Sequence, residues 1–185
     1  MFRLAGAAFL AIIFITGLSS FELPVPAPAD KKAKVNWLTP EEAYALNQKE
    51  PRKILVDLYT DWCGWCKVMD RETYAKAEIA EYINKNYYPV KFNAEQRQSI
   101  KLGNRSYHFM AQGKGGIHSW AMVLSNNKPS FPTTVFIDES FRVIQPVPGY
   151  IKPGEFYQIV TYIGGDHYKK EPYDGYLKGT FGQLY

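Results

Sequence analysis

The chain has 185 residues, 46% of them hydrophobic and 22% charged, and a formal net charge of +4, a composition that reads as globular. The balance is only mildly basic and the lysines and arginines are spread rather than clustered, so nucleic acid is excluded as an expected partner. Two cysteines are too few for a structural disulfide framework, and together with three scattered histidines they are a poor ligand set for zinc.

Residues 1–20 carry one basic residue, Arg3, then an apolar run from Leu4 to Leu18 and the small residues Gly17, Ser19 and Ser20. This pattern predicts a signal peptide or N-terminal anchor, the run being short of the roughly twenty residues that span a bilayer. Either outcome places the remainder outside the cytoplasm, in the periplasm if the cell is Gram-negative, with membrane attachment only through an uncleaved N-terminus. No cysteine follows the apolar run, which excludes a lipid anchor on an N-terminal cysteine. Residues 21–34 hold three prolines and then three lysines and predict a solvated linker. Residues 35–165 are expected to form one domain and residues 166–185 a C-terminal extension.

Within the domain, Thr39-Pro40-Glu41-Glu42 predicts a capped helix start, with the helix running to about Lys49. Ile54 to Tyr59 has the length and composition of a buried strand. A helix is expected from Cys63, a second over about Lys76 to Asn86, and a strand from Tyr88 to Asn93. Residues 98–109, around Gly103-Asn104, predict a β-hairpin. A glycine-rich turn at 113–116 and a short helix from Ile117 to Leu124 follow. Strands are expected at Thr133 to Ile137 and Arg142 to Val147, joined by an Asp138-Glu139-Ser140 turn, then a helix from Pro153-Gly154 to Gly164-Gly165. The tail has a helical pattern interrupted by Pro172, Gly175 and Gly179.

The chemistry concentrates at Cys63-Gly64-Trp65-Cys66. Two thiols at this spacing can open and close a disulfide. In the first turn of a helix, unpaired amides and the positive end of the dipole favour thiolate over thiol at Cys63. Cys66, one turn further in, is expected to be the more shielded. Cys63 then attacks a substrate disulfide and Cys66 resolves the mixed disulfide. A purely structural bridge closing so short a loop would constrain the unfolded chain little. No phosphate-binding glycine loop and no histidine-carboxylate cluster is present, so no cofactor is expected.

The segment VDLYTDWCGWC, with Asp57 six positions before Cys63, resembles the active-site strand and turn of thioredoxins, and the resemblance covers nearly all of residues 35–165. DWCGWCK with SFPTTVFID downstream is similar to a group of exported bacterial thioredoxin-like proteins. The resemblance implies an α/β thioredoxin fold, a central mixed sheet flanked by helices, into which the predicted hairpin and short helix are inserted before the strand that follows a cis-proline. That proline is Pro132, with Phe131 lining the substrate groove. Gly149 matches a glycine where the backbone approaches the site closely, and Trp62 a tryptophan of the groove wall. Asp57 on a buried strand is costly as a carboxylate, so its pKa should rise, and it would exchange a proton with Cys66. Lys91 is placed to pair with it.

Two departures stand out. Gly64-Trp65 replaces the usual Gly-Pro, exchanging a rigid helix start for an exposed aromatic, and residues 97–116 are extra, either shaping partner choice or capping the sheet. His108 and His118, in or beside that insertion, are expected to be packing or solvated residues. The implied activity is an exported thiol-disulfide oxidoreductase acting on protein thiols and disulfides, as a reductase fed by a membrane electron donor. A disulfide oxidase or isomerase, or a peptide-binding module with little turnover, are the alternatives.

Overall fold

The computed structural model describes residues 33–185; the expected signal peptide or anchor, and the expected linker up to residue 32, lie outside the described residues. Helix α1, Pro40–Lys49, begins with a capping box: the Glu42 amide donates to Thr39 Oγ1 at 3.2 Å and the Thr39 amide to Glu42 Oε2 at 2.8 Å. These bonds satisfy amide donors that a helix start otherwise leaves open. Strand β1, Lys53–Tyr59, is buried over all but its last residue, which is why its sequence is nearly continuous in apolar residues.

Helix α2, Gly64–Met69, has Cys63 as its N-cap and runs into a π-helical turn, Asp70–Tyr74, where an ordinary helical continuation was expected. Helix α3, Ala77–Asn86, leads into β2, Tyr87–Asn93. The insertion then holds two hairpins rather than one. Strands β3, Ile100–Leu102, and β4, Arg105–Tyr107, turn at Gly103-Asn104. Strands β5, Phe109–Gln112, and β6, Gly115–His118, turn at Gly113-Lys114, with Gly113 at φ +56°. Ile117 and His118, expected as the start of a helix, instead face Met110 and Phe109 across this second hairpin. Helix α4, Ser119–Leu124, begins after them because His118 Nδ1 accepts the Trp120 amide at 3.2 Å and caps the helix.

Strands β7, Thr133–Ile137, and β8, Val143–Pro148, are followed by α5, Pro153–Gly164, a 3₁₀ turn, His167–Lys169, and the short helices α6, Tyr173–Lys178, and α7, Phe181–Leu184. The chain breaks between α6 and α7 at Gly179, while Gly175 lies within α6 and does not interrupt it. Tyr176 of α6 is fully buried and its hydroxyl donates to Thr161 Oγ1 of α5 at 2.8 Å.

The central sheet has the order β2-β1-β7-β8, with β1 parallel to β2 and the other pairs antiparallel. Side chains alternate across it. Ile54, Val56 and Leu58 join one apolar layer with Val90, Phe92, Val135, Trp120 and the insertion's Ile100 and Leu102. Leu55 joins the other, with Met69, Tyr74, Ile83, Phe136 and Phe156. Asp57 has the same parity as Leu55, and the register sets it between Lys91 on β2 and Thr134 on β7. One polar row thus crosses the sheet on the face covered by α2, α3 and α5.

Candidate functional site

The dithiol turn is positioned by the end of β1. After Tyr59 the Cys63 amide bonds back to Thr60 O at 3.1 Å, and Cys63 takes the extended conformation of an N-cap, φ −72° and ψ 102°. Its Sγ accepts the Cys66 amide at 3.1 Å and is joined to Cys66 Sγ in a disulfide. The expected difference in shielding is absent in this oxidised state, where Cys63 is 4% and Cys66 3% exposed. The cross-link holds the Cys63 sulfur against the first turn of α2, so both sulfurs are covered alike. What separates them is the amide: only Cys63 sits at the open end of the helix, where a developing thiolate finds an N–H donor.

Aromatic side chains wall the disulfide. Trp62 and Trp65 are 68% and 62% exposed. Trp62 meets Phe131 edge to face, with centroids 6.1 Å apart, and its Nε1 donates to Glu95. Trp65 stacks on Tyr150 at 5.5 Å. Between them Trp65, Phe131, Pro132, Gly149 and Tyr150 line a pocket of about 190 Å³. The Phe131-Pro132 peptide is cis, and Pro132 O accepts the Gly149 amide at 2.8 Å. Gly149 was expected for a close backbone approach, yet no atom lies within 4 Å of where its Cβ would stand. Glycine is required there by φ, which is +95°, a backbone state that side-chain-bearing residues rarely take. A Cβ at Gly64 would likewise meet nothing.

Behind the turn, Asp57 is buried, and Lys91 Nζ donates to its Oδ2 at 2.8 Å. The same ammonium donates to Asp70 Oδ1 at 2.5 Å and is flanked by the rings of Trp37 and Tyr59, 5.2 and 5.0 Å from their centroids. Burial pushes the Asp57 carboxyl up to about 6 against the opposing pull of Lys91. Burial also acts to lower Lys91, but its two carboxylate partners outweigh it and raise the ammonium. Asp57 Oδ1 is buried with no hydrogen-bond partner among the described residues. Tyr74 lies alongside, its hydroxyl 3.0 Å from Thr134 Oγ1.

The structure therefore gathers Cys63, Cys66, Trp62, Gly64, Trp65, Phe131, Pro132 and Gly149 about the turn, and Asp57 and Lys91 behind it. Asp70 and Tyr150 were not singled out from sequence. Asp70 had a signal: it lies four residues after Cys66 and so on the same helical face. Tyr150 had none beyond adjacency to Gly149. His118 is a packing residue, fully buried against Phe92.

A family model named Thioredox_DsbH, a protein of unknown function, DUF255, matches residues 28–151. The chain belongs to this family. The Thioredox_DsbH match takes in β1, the Cys63–Cys66 turn, both hairpins and the Phe131-Pro132 loop, and it ends before α5. Among solved structures, one titled DsbH oxidoreductase superposes with a TM-score of 0.54 at 17% identity over 78% of this chain and 94% of that one. A thioredoxin-fold protein from Helicobacter pylori gives 0.52 at 17% identity over 77% and 94%. A putative disulphide-isomerase from Bacteroides thetaiotaomicron gives 0.51 at 20% identity over 77% and 99%. The fold is that of thioredoxin, and the Cys-x-x-Cys pair within it is disulfide-bonded. Spermatogenesis-associated protein 20 of Rattus norvegicus is 26% identical over 82 residues, 44% of this chain and 10% of that protein. The Caenorhabditis elegans protein B0495.5, uncharacterized, is 24% identical over 82 residues, 44% and 11%. The chain spans about a tenth of the length of these curated relatives.

Proposed function

We propose that this chain is an exported thiol-disulfide oxidoreductase that reduces disulfides in protein substrates and is itself re-reduced by an electron donor at the membrane. The observation that carries the reading is the Cys66 amide aimed at Cys63 Sγ at 3.1 Å, at the N-terminus of α2, because a hydrogen-bonded thiolate at a helix start is the reactive form. Export is supported by the basic and apolar pattern of residues 1–20, and a polypeptide substrate by the aromatic walls beside the disulfide.

In the reduced protein Cys63 thiolate attacks one sulfur of a substrate disulfide, expelling the other as thiolate. Cys66 then attacks Cys63 Sγ. The Cys63–Cys66 bond forms, the mixed disulfide breaks, and the second substrate sulfur leaves and is protonated. Two electrons pass from the dithiol to the substrate. Asp57 is the acceptor for the Cys66 proton, Lys91 holds its carboxylate, and the Phe131-Pro132 loop forms one side of the substrate groove.

Cys66→Ser in the producing cell tests this. Exported proteins should accumulate in disulfides with Cys63, released by dithiothreitol and absent from a Cys63→Ser, Cys66→Ser double variant. Partners retained without such a bond would instead favour a binding module. The direction follows from the reduction potential of the pair: near about −270 mV it supports a reductase, near about −120 mV an oxidant.

A further inference from the structure

Lys91 is the hub of a three-charge cluster whose outer member, Asp70, has no role in the mechanism above. The ammonium reaches Asp57 Oδ2 at 2.8 Å and Asp70 Oδ1 at 2.5 Å, and the three side chains grade from buried to wet: Asp57 is 2% exposed, Lys91 24% and Asp70 42%. The rings of Trp37 and Tyr59 fix the ammonium laterally. Asp70 opens the π-helical turn after α2, one turn beyond Cys66, so the helix that carries the resolving cysteine also delivers the second carboxylate.

We propose that Asp70 is a positioning residue of the thiol-disulfide reaction, dividing the Lys91 ammonium between two carboxylates and so leaving Asp57 able to take and hold a proton. The inference rests on the dithiol chemistry proposed above. Two ionised carboxylates on one ammonium leave the cluster with a net charge of −1, and one proton relieves it. That proton goes to Asp57, since its carboxylate is the buried one and has an oxygen, Oδ1, with no hydrogen-bond partner among the described residues, a setting that disfavours the charged form. With Lys91 committed to Asp57 alone, the buried ion pair would stay ionised and the proton would be held less well. The other groups around Asp57 do not supply this effect. Tyr74 from the π turn and Tyr59 from β1 are phenols whose proton loss is pushed higher, first of all by burial. Thr134 from β7 is neutral, Asp61 beyond β1 acts on Tyr59, and α2 contributes the two cysteines.

In the resolving step the Cys66 proton passes to the Asp57 carboxylate as the Cys66 sulfur attacks Cys63 Sγ. The Cys63–Cys66 bond forms as the bond from Cys63 to substrate breaks, and the substrate thiolate takes a proton from water. Asp57 returns its proton to solvent on the Asp70 side before the next cycle.

Asp70→Asn in the full chain is the test, with Asp70→Glu as the conservative control. The Asp57 carboxyl is followed by carbon NMR through a pH titration of the oxidised protein, which requires no turnover. Its midpoint should fall by about one pH unit in Asp70→Asn and keep its place in Asp70→Glu. The pH midpoint for resolution of a mixed disulfide formed with a cystine-containing peptide should move with it. An Asp57 midpoint unmoved by Asp70→Asn overturns the proposal, as does an equal shift in Asp70→Glu. A shifted carboxyl in a protein that resolves no mixed disulfide would leave the three-charge cluster standing and count against the oxidoreductase reading instead.

Discussion

On one side of the central sheet β1 presents Ile54, Val56 and Leu58 to an apolar layer completed by Phe92, Val135, Trp120 and the insertion; on the other, Leu55 is followed by Asp57, and the row Lys91, Asp57, Thr134 runs across three strands. Both faces are covered by helices, so cover does not distinguish them. The difference lies in what each can hold. The first face has no charge to satisfy in its layer and packs continuously. The second tolerates a carboxylate because Lys91 reaches it and Asp70 opens the cluster to solvent. Both sides of β1 thus bury an apolar layer, and only the second also carries proton chemistry, although the residues responsible alternate along a single strand.

The largest effect should come from the apolar side. Phe92 is fully buried, with its ring edge to face with Trp120 at 4.8 Å and His118 at 5.1 Å. Phe92→Ala should cost about 3–5 kcal/mol in denaturant unfolding of the oxidised protein and leave the reduction potential of the Cys63–Cys66 pair where it was. A shifted potential would show that the two faces are not separable.

On the polar side the effect is smaller and depends on pH. The Asp57 carboxyl is pushed from 3.8 to about 6 in the folded protein. Between about pH 4 and 6 the native state therefore keeps a proton that the unfolded chain has released, and stability falls as pH rises through this window. The loss approaches about 3 kcal/mol and is complete above it. Asp138, Glu139 and Asp166 are pulled the other way: burial alone would raise them, but hydrogen bonds and neighbouring cations outweigh it. The informative quantity is accordingly the difference between wild type and Asp57→Asn. Urea unfolding from pH 4 to 7 should show the variant gaining on wild type with rising pH, whereas a constant difference would mean that Asp57 holds its proton no better folded than unfolded.

What could be read from the sequence was local, and what could not depended on distant partners. The capping box, the run of β1 and the Cys-x-x-Cys turn each lie within a few residues, so spacing alone located them. The start of α4 was misplaced because Ile117, Trp120, Ala121 and Leu124 recur at helical spacing. A cap formed by His118 and a pairing of Ile117 with Met110 override that period. The second hairpin has glycines in β6 and half-exposed residues in β5, which blur its alternation. Strand position narrowed the partner of Asp57 to Lys91; helical spacing sets Asp70 on the face of Cys66, but that it meets the same ammonium depends on how α2 packs against β2. The stack of Trp65 on Tyr150 joins residues far apart in the chain.

Trp65 gives the smallest effect on stability and the clearest inversion of Phe92. It is 62% exposed, so truncation opens no cavity in either layer. The stack on Tyr150 contributes about 1 kcal/mol, and alanine's better helix propensity near the start of α2 offsets part of that loss. Trp65→Ala should therefore unfold within about 1 kcal/mol of wild type. Its consequence belongs to the groove, where Trp65 forms one wall of the 190 Å³ pocket beside Phe131 and Pro132. A polypeptide that sets a side chain in that pocket loses contact area, and its KM should rise about fivefold. Oxidised glutathione, which has no hydrophobic side chain to seat in that pocket, should be reduced as before. If both substrates slowed together, the change would lie in the dithiol itself, through the helix start that Trp65 shares with Cys63, and the aromatic wall would have no part in recognition.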